Sequence, residues 1–233
     1  MNKNLNKTII ISLLHKLDAL TQVPCRIIIG GGAAAIIGYG LNRVTGDIDI
    51  FEPIPKNSEI YSNIKKISKD MELDPKWMND GTKGFITCLA PSFIKRLIPL
   101  NEKFKTIEVY LISKADFLTL KLSRWDESDK DDVKILGIEK EDLGIIAENL
   151  LNMDTYRPDQ AQKIHFALME LGIEPQILLQ ANQITSLAEL VMFSQQQGAD
   201  PEINTILEWK DKIKNGEKPQ DIAGFIINKD KKI

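Results

Sequence analysis

The stretch IIIGGGAAAIIGYGLNRVTGDIDIF, residues 27–51, constrains the fold more than any other part of the chain. Residues 26–29, an arginine followed by three isoleucines, predict a buried strand, and the three glycines 30–32 follow it directly. The Ala- and Ile-rich segment 33–41 predicts a helix packed closely on a sheet, and residues 46–51 predict a second strand. A strand, a glycine turn, a helix and another strand in this order indicate a sheet with helices packed against it.

Two aspartates, Asp47 and Asp49, stand one residue apart in the second predicted strand. Successive side chains of a strand point to opposite faces, so the two carboxylates share one face while Ile48 and Ile50 share the other. Two anions about 6–7 Å apart on a strand repel each other unless a cation lies between them. Hard oxygen ligands of this kind favour Mg²⁺ or Mn²⁺. The pair is therefore a candidate metal site.

The glycines Gly30, Gly31 and Gly32 supply a complementary element. A strand that runs through such a turn into a helix lets the backbone approach a ligand closely. It also directs the free N–H groups of the helix start towards an anion such as phosphate. Tight packing of the helix on the strand explains a lone glycine turn equally well. The nearby aspartate pair is what favours the phosphate-site interpretation.

Two charged residues interrupt apolar patterns later in the chain. The predicted strand 106–112 carries Glu108 in its interior. If this strand lies beside residues 46–51, Glu108 would complete a three-carboxylate cluster for metal ions; a solvated glutamate on an edge strand is the alternative. Lys121 falls within the apolar stripe of the predicted helix 114–125, where a lysine either extends to solvent or meets an anion. Both residues are candidates for the site.

The remaining segments change in kind along the chain. A polar helix is predicted over residues 58–71, and strands are predicted over 85–89 and 106–112. From about residue 139 every apolar segment repeats with a helical period: 143–151, 159–171, 175–197 and 203–213.

This division predicts an α+β protein with two domains. Residues 1–138 are expected to form a mixed β-sheet with flanking helices, and residues 139–233 an all-helical C-terminal domain. The length of 233 residues allows each part a core of its own.

Composition excludes several classes of protein. A net charge of −3 argues against non-specific coating of nucleic acid, which needs many cationic side chains. The two cysteines, Cys25 and Cys88, lie far apart without metal-ligand spacing, so neither a zinc site nor a disulfide framework is indicated. The longest apolar stretch is shorter than the roughly 20 residues that a membrane span needs. We therefore expect a cytoplasmic protein with no membrane partner.

The glycine turn, the Ala-rich helix and the strand with Asp47-Ile48-Asp49 resemble the nucleotidyltransferase superfamily that includes DNA polymerase beta. With Arg43 and Thr45 ahead of the aspartates, the string is most similar to the AbiEii-like toxins of abortive-infection systems and to a related bacterial nucleotidyltransferase family.

Later motifs occur in the same order as in that family: WMNDG at 77–81, ADFLTLKL at 115–122, and a D-x-x-D pattern formed by Asp129 and Asp132. Residues 128–133 are equally well explained as a helix start with Ser128 as its N-cap. The resemblance covers about residues 25–136.

The resemblance implies a nucleotidyltransferase fold and transfer of a nucleoside monophosphate from an NTP to a hydroxyl or similar acceptor, with Mg²⁺ or Mn²⁺. Asp47 and Asp49 would bind the metal ions, and Glu108 would stand in for the third catalytic carboxylate. The nucleotide would be bound by six further residues: Gly30, Gly31, Gly32, Arg43, Thr45 and Lys121.

The expected acceptor is an RNA, such as a tRNA 3′ end, or a protein. The resemblance also implies a toxin of a toxin–antitoxin or phage-defence system, with an antitoxin as partner. Two other functions stay open. One is a catalytically inactive binding module, which the intact Asp47 and Asp49 argue against because a carboxylate pair is costly to keep without a cation. The other is a transferase that modifies a small aminoglycoside-like molecule.

Overall fold

A computed structural model describes residues 4–51, 53–199 and 201–227, and the chain divides into two compact units, residues 1–117 and 118–233. The first unit carries the strands and the second is helical. The predicted α+β class, with a mixed β-sheet, flanking helices and a helical C-terminal region, is confirmed. The domain division at residue 138 stays a prediction. Within the described residues, no helix has both the length and the apolar character that crossing a membrane requires.

The elements of the first unit follow one another in this order: α1 (Lys7–Leu20), β1 (Cys25–Ile29), α2 (Gly31–Gly38), β2 (Ile48–Asp49), α3 (Ser58–Met71), β3 (Met78–Asn79), two 3₁₀ helices (Gly81–Cys88 and Pro91–Arg96), β4 (Ile98–Pro99) and β5 (Ile107–Leu111). Helix α4 (Lys114–Leu122) then crosses into the second unit. The strand, turn, helix and strand expected from residues 27–51 are all present.

The strands form a mixed arrangement. Strand β5 lies between β1 and β4, parallel to β1 and antiparallel to β4, while β2 runs parallel to β3. An antiparallel bridge between Ile29 and Ile50 joins the β2 segment to β1, and the Gly30 N–H donates to the Asp49 carbonyl at 2.9 Å. The aspartate-bearing strand therefore neighbours β1, and β1 separates it from β5.

Close packing of helix α2 on the sheet explains the small residues of its sequence. Residues 33–37 are all buried. A Cβ atom on Gly38 would lie only 2.6 Å from Cδ1 of Leu111 on β5, so a larger side chain there would require the Leu111 side chain to move. The Ala-rich helix thus holds the glycine turn against the sheet.

The predicted strand over residues 85–89 is wrong, because this segment belongs to the 3₁₀ helix Gly81–Cys88. Its backbone bonds join residues three apart, as in the bond from the Leu89 N–H to the Ile86 carbonyl at 3.1 Å. The apolar residues that suggested a strand lie on this tighter helix, in which Cys88 is buried and Ile86 is exposed.

The second unit continues with α5 (Glu127–Leu136), α6 (Lys140–Tyr156), α7 (Pro158–Glu170), α8 (Pro175–Asn182), α9 (Leu187–Gln196), α10 (Ile203–Lys214) and α11 (Pro219–Ile227). The single helix predicted over 175–197 is wrong. The Ser186 side chain accepts from the Glu189 N–H, and the Glu189 carboxylate accepts from the Thr185 N–H at 2.7 Å. This capping arrangement starts a new helix.

A separate apolar cluster holds the last helices together. Its buried members come from α8 to α11 and the loop after α8: Ala181, Ile184, Leu190, Phe193, Trp209, Ile222 and Ala223. Helix α11, which was not predicted, contributes the last two of them, and Pro219 stands at its first position, where proline fits a helix start.

One buried carboxylate fastens helix α1 to the start of β5. Asp18 accepts hydrogen bonds from the backbone N–H groups of Lys105 (2.8 Å), Thr106 (2.8 Å) and Ile107 (2.9 Å). Burial raises the pKa of Asp18, but the three N–H donors outweigh it and hold the pKa below its usual value. The ionised carboxylate therefore stabilises the first unit.

We expect Asp18→Asn to lower the free energy of unfolding at pH 7 by about 3 kcal/mol, because an amide nitrogen would face buried N–H donors. The native carboxylate contributes above the unfolded pKa of about 4, and this contribution is lost as the pH falls through the lower folded pKa. The difference between the two proteins should therefore shrink below about pH 4.

Urea unfolding at several pH values measures this difference. The exposed Asp70 on α3 supplies the matched control. Asp70→Asn should leave stability within about 0.5 kcal/mol of the unaltered protein. A gap between Asp18→Asn and the unaltered protein that stays constant down to pH 2 would contradict the assignment.

Candidate active site

Gly31 begins helix α2 in contact with one of the two aspartates. Its φ angle is +55°, a conformation that side-chain-bearing residues rarely adopt. A Cβ atom built on Gly31 would lie 2.1 Å from Oδ2 of Asp49, well inside van der Waals contact. The turn therefore requires glycine for two independent reasons, and the missing side chain leaves space that the carboxylate occupies.

The two aspartates stand at the exposed side of a buried segment. Ile48 and Ile50 are fully buried, whereas Asp47 and Asp49 are half-buried, as the alternation of a strand requires. Oδ2 of Asp47 accepts a hydrogen bond from Nδ2 of Asn79 at 3.0 Å. Both carboxylates thus lie at the end of β2 within reach of solvent.

Arg43 and Thr45 lie beside the second residue of the turn. A Cβ atom on Gly32 would be 3.1 Å from Nη2 of Arg43 and 3.2 Å from Oγ1 of Thr45. Arg43 is exposed and Thr45 is half-buried. A guanidinium group and a hydroxyl group therefore stand next to the start of α2, where both suit an anionic ligand.

Gly30 has a different environment from the other two glycines. It is buried, and its N–H donates to the Asp49 carbonyl at 2.9 Å. A Cβ atom on it would lie 3.3 Å from Cε2 of Phe51. The Gly30 N–H is thus engaged by the backbone of the β2 segment, so this residue supports the turn while Gly31 and Gly32 form its accessible part.

The structure does not bring Glu108 to the aspartates. Gly30, which follows β1, is hydrogen-bonded to Asp49. The Ile112 N–H, which follows β5, donates to the Ile29 carbonyl. The end of β5 and the aspartate pair therefore lie at the same end of β1. Glu108 lies opposite Arg26, about 13 Å earlier along the strand at the usual rise per residue. Its side chain is 64% exposed and pairs with Arg26 at 3.3 Å. The glutamate is thus exposed, as the alternative expected, but its strand is not an edge strand, since β5 lies between β1 and β4.

Among residues 4–51, 53–199 and 201–227, no three acidic, histidine or cysteine side chains are grouped so that they could hold a metal ion. The carboxylate set at the glycine turn is therefore the pair Asp47 and Asp49. Its charge and oxygen donors still suit one divalent cation whose other ligands are waters and phosphate oxygens.

Lys121 forms a buried ion cluster in the second unit. Its Nζ lies 2.6 Å from Oδ1 of Asp129 and 2.7 Å from Oδ2 of Asp132. The lysine is 4% exposed, and the two aspartates are 0% and 2% exposed. The anion that Lys121 meets is thus a pair of protein carboxylates, and nothing in these surroundings supports its predicted contact with a triphosphate.

The D-x-x-D segment belongs to the same cluster. Arg124 donates to Asp129 from Nε at 3.0 Å and from Nη2 at 2.6 Å. The predicted N-cap Ser128 is wrong: Asp126 caps α5 by accepting from the Asp129 N–H at 2.9 Å. The Ser128 hydroxyl donates to the Asp126 carboxylate. This hydrogen bond, and after it the one from the Asp129 N–H, holds the pKa of Asp126 below its usual value.

A family model described as "Nucleotidyltransferase of unknown function (DUF6036)" matches residues 8–169, more than half of the chain. The chain belongs to this family. The predicted membership of the nucleotidyltransferase superfamily is thereby confirmed, while the closer likeness to AbiEii-like toxins stays a prediction. No curated protein and no solved structure matches the chain.

Three residues near the predicted groups were not assigned from the sequence. Asn79 contacts Asp47, Gly81 lies close to Asp49, and Arg124 binds Asp129. Asn79 and Gly81 belong to the WMNDG motif, which pointed to the right segment without indicating its partner. Arg124 follows α4 in a turn whose next residue, Trp125, has a φ angle of 55°, and no local pattern predicts that geometry.

We expect Gly31→Ala to destabilise the protein more than Gly40→Ala does. Both glycines have positive φ angles, so each alanine costs about 1–2 kcal/mol of backbone strain. A Cβ on Gly40 meets nothing within 4 Å, whereas that on Gly31 collides with Asp49. Urea unfolding should show an additional loss of at least about 1 kcal/mol for Gly31→Ala.

In the double variant Gly31→Ala/Asp49→Gly the carboxylate is absent, so the collision is relieved. Compared with Asp49→Gly alone, the alanine at position 31 should therefore no longer cause the additional loss. Equal losses for Gly31→Ala and Gly40→Ala, with no coupling to position 49, would show that the two groups do not touch.

We expect Lys121→Met to lower the free energy of unfolding by about 3–5 kcal/mol, because two buried carboxylates lose the lysine, although Arg124 stays beside Asp129. Lys134, which is exposed on α5, provides the control: Lys134→Met should change stability by less than about 0.5 kcal/mol. A loss below about 1 kcal/mol for Lys121→Met in urea unfolding would instead indicate a lysine with freedom to leave the cluster.

Proposed function

We propose that this protein is a metal-dependent nucleotidyltransferase that transfers a nucleoside monophosphate from an NTP to a hydroxyl group of an RNA or protein, with release of pyrophosphate. The observation that carries the proposal is the contact of Gly31 with the Asp49 carboxylate. It joins a backbone turn suited to phosphate with a carboxylate suited to a cation, and a metal-bound triphosphate presents both partners at once.

Asp47 and Asp49 are the residues that would hold the metal ion. Mg²⁺ is commonly bound by one or two carboxylates together with waters and substrate phosphates, so the half-buried pair fits this requirement. When bound, the ion would neutralise charge on the triphosphate and help to orient it. The described residues supply no further carboxylate to this group.

The triphosphate would lie at the start of α2. Gly31 and Gly32 expose the backbone there, and the guanidinium of Arg43 and the hydroxyl of Thr45 stand beside Gly32. Donors held in fixed positions stabilise charge that develops on a transferring phosphoryl group, and they do so without reorganising. In this proposal Arg43 and Thr45 bind and orient the nucleotide, and Glu108 and Lys121 take no part.

The nature of the acceptor, and a role as a toxin restrained by an antitoxin, rest on the resemblance to AbiEii-like proteins. A second function, nucleotide binding without transfer, is favoured by one observation: Glu108 lies away from the aspartates, so the described part of the chain places no third carboxylate beside the pair to accept a proton from the attacking hydroxyl. The two functions differ in whether a covalent product forms.

We expect labelling of an acceptor when the protein is incubated with Mg²⁺, each α-³²P-NTP in turn, and either total RNA or a protein lysate. Label from a γ-³²P-NTP should instead appear in pyrophosphate. Asp47→Asn and Asp49→Asn should each lower the labelling rate by at least about 100-fold, because each removes one oxygen anion from the metal site. Glu108→Gln should keep the rate of the unaltered protein.

Gel separation of RNA and protein identifies the acceptor class, and label in a small molecule would instead support the aminoglycoside-type alternative. No label from any NTP, together with calorimetric binding of an NTP that needs Asp47 and Asp49, would favour the binding module. A normal rate in Asp47→Asn would contradict both functions at this site.

A further inference from the structure

The WMNDG motif at residues 77–81 forms the strand next to the aspartates and has no role in the function proposed so far. Strand β3 runs parallel to β2, with Met78 opposite Ile48 and Asn79 opposite Asp49. Trp77 is 1% exposed, and its indole N–H donates to the Ile64 carbonyl at 3.1 Å. The tryptophan therefore fixes β3 to helix α3 and holds the next residues in place.

The side chain of Asn79 is oriented by hydrogen bonds on both of its ends. Nδ2 donates to Oδ2 of Asp47 at 3.0 Å and to the Lys76 carbonyl at 3.3 Å, while Oδ1 accepts from the Gly81 N–H at 2.8 Å. An N–H donor can only face the amide oxygen, so the amide nitrogen must face the carboxylate. The donor to Asp47 is thus set by the protein backbone.

Gly81 brings the same loop close to the second aspartate. A Cβ atom on it would lie 2.6 Å from Oδ1 of Asn79 and 3.7 Å from Oδ1 of Asp49. A Cβ atom at position 81 would thus collide with the Asn79 amide oxygen, while its distance from Asp49 would be an ordinary van der Waals contact. The Asp49 carboxylate therefore lies near both Gly31 and Gly81.

We propose that Asn79 is a positioning residue for the metal-binding carboxylate of Asp47. The amide donates to one carboxylate oxygen, Oδ2, and so fixes the plane of the group and leaves Oδ1 to a cation. It does this without adding charge to the site. Groups that orient a metal ligand in this way typically change metal affinity by about 10- to 100-fold when they are removed. The inference rests on the proposed function, since it assumes that Asp47 binds a metal ion.

Binding of Mn²⁺ alone, followed by the electron paramagnetic resonance signal of the free ion, tests the inference without any need for catalysis. We expect Asn79→Ala to weaken Mn²⁺ binding by about 10- to 100-fold. Asn63 supplies the matched control, because its amide donates to Thr21 elsewhere in the first unit. Asn63→Ala should leave Mn²⁺ affinity unchanged.

Asn79→Asp separates positioning from support of the loop. It keeps an oxygen for the Gly81 N–H, but sets a second carboxylate beside Asp47 in place of the donor. Without metal the variant should melt at a lower temperature, and Mn²⁺ should raise its melting temperature more than that of the unaltered protein. Its Mn²⁺ affinity should be no weaker, because a carboxylate attracts the cation directly.

An Asn79→Asp protein that melts without metal at the temperature of the unaltered protein would overturn the inference, since it would mean that the residue only supports the loop through the Gly81 N–H. An Asn79→Ala protein that binds Mn²⁺ as Asn63→Ala does would overturn it as well. Failure of the proposed function is distinguishable: the unaltered protein would then bind no Mn²⁺, or Asp47→Asn would bind it normally, and the role of Asn79 would be excluded with it.

Discussion

The contact between the Gly31 backbone and the Asp49 carboxylate is the constraint on which the candidate site depends. Any other residue at position 31 would place its Cβ atom 2.1 Å from a carboxylate oxygen of Asp49, which is too close for two atoms that are not bonded. The contact exists because α2 is drawn onto the sheet by buried small residues and because the Gly30 N–H bonds to the Asp49 carbonyl. The packing of the helix and the pairing of the strands therefore determine the geometry of the candidate site together.

The protein treats its carboxylates in two different ways. Buried ones receive full compensation: Asp18 from three backbone N–H groups, Asp116 from Arg96 at 2.8 Å, and Asp129 from Lys121 and Arg124. Such compensation is needed because a buried charge without a partner costs several kcal/mol. Asp47 is half-buried and receives the neutral amide of Asn79. The amide orients the carboxylate and leaves its negative charge in place, as a cation site requires.

Local sequence patterns predicted the fold class and the segments that form the candidate site, whereas non-local register and pairing were not predictable. The order of β1, the glycine turn, α2 and β2 follows from hydrophobic period and glycine placement, and helix 58–71 was predicted with the bounds it has. Which strand lies beside β2 depends on the whole sheet, so the position of Glu108 could not be read from its own strand. Lys121 lies in the apolar stripe as predicted, but its partners come from the next helix. The break between α8 and α9 did carry a local signal, the pair Ser186 and Glu189.

Because Glu108 lies away from the aspartate pair and a neutral amide, Asn79, lies beside it, the negative charge at the candidate site stays low. Two carboxylates balance the charge of one divalent cation, and a third within about 4 Å would add several kcal/mol of repulsion whenever the cation is absent. The pair therefore tolerates the metal-free state better than a triad would, and the amide supplies orientation that a third acid would otherwise give at that cost. A cation that arrives together with its triphosphate would find the carboxylates already oriented. In the proposed function, the metal ion and the nucleotide would bind together at the candidate site, with one amide next to Asp47 in the place where a further acid would destabilise the empty protein.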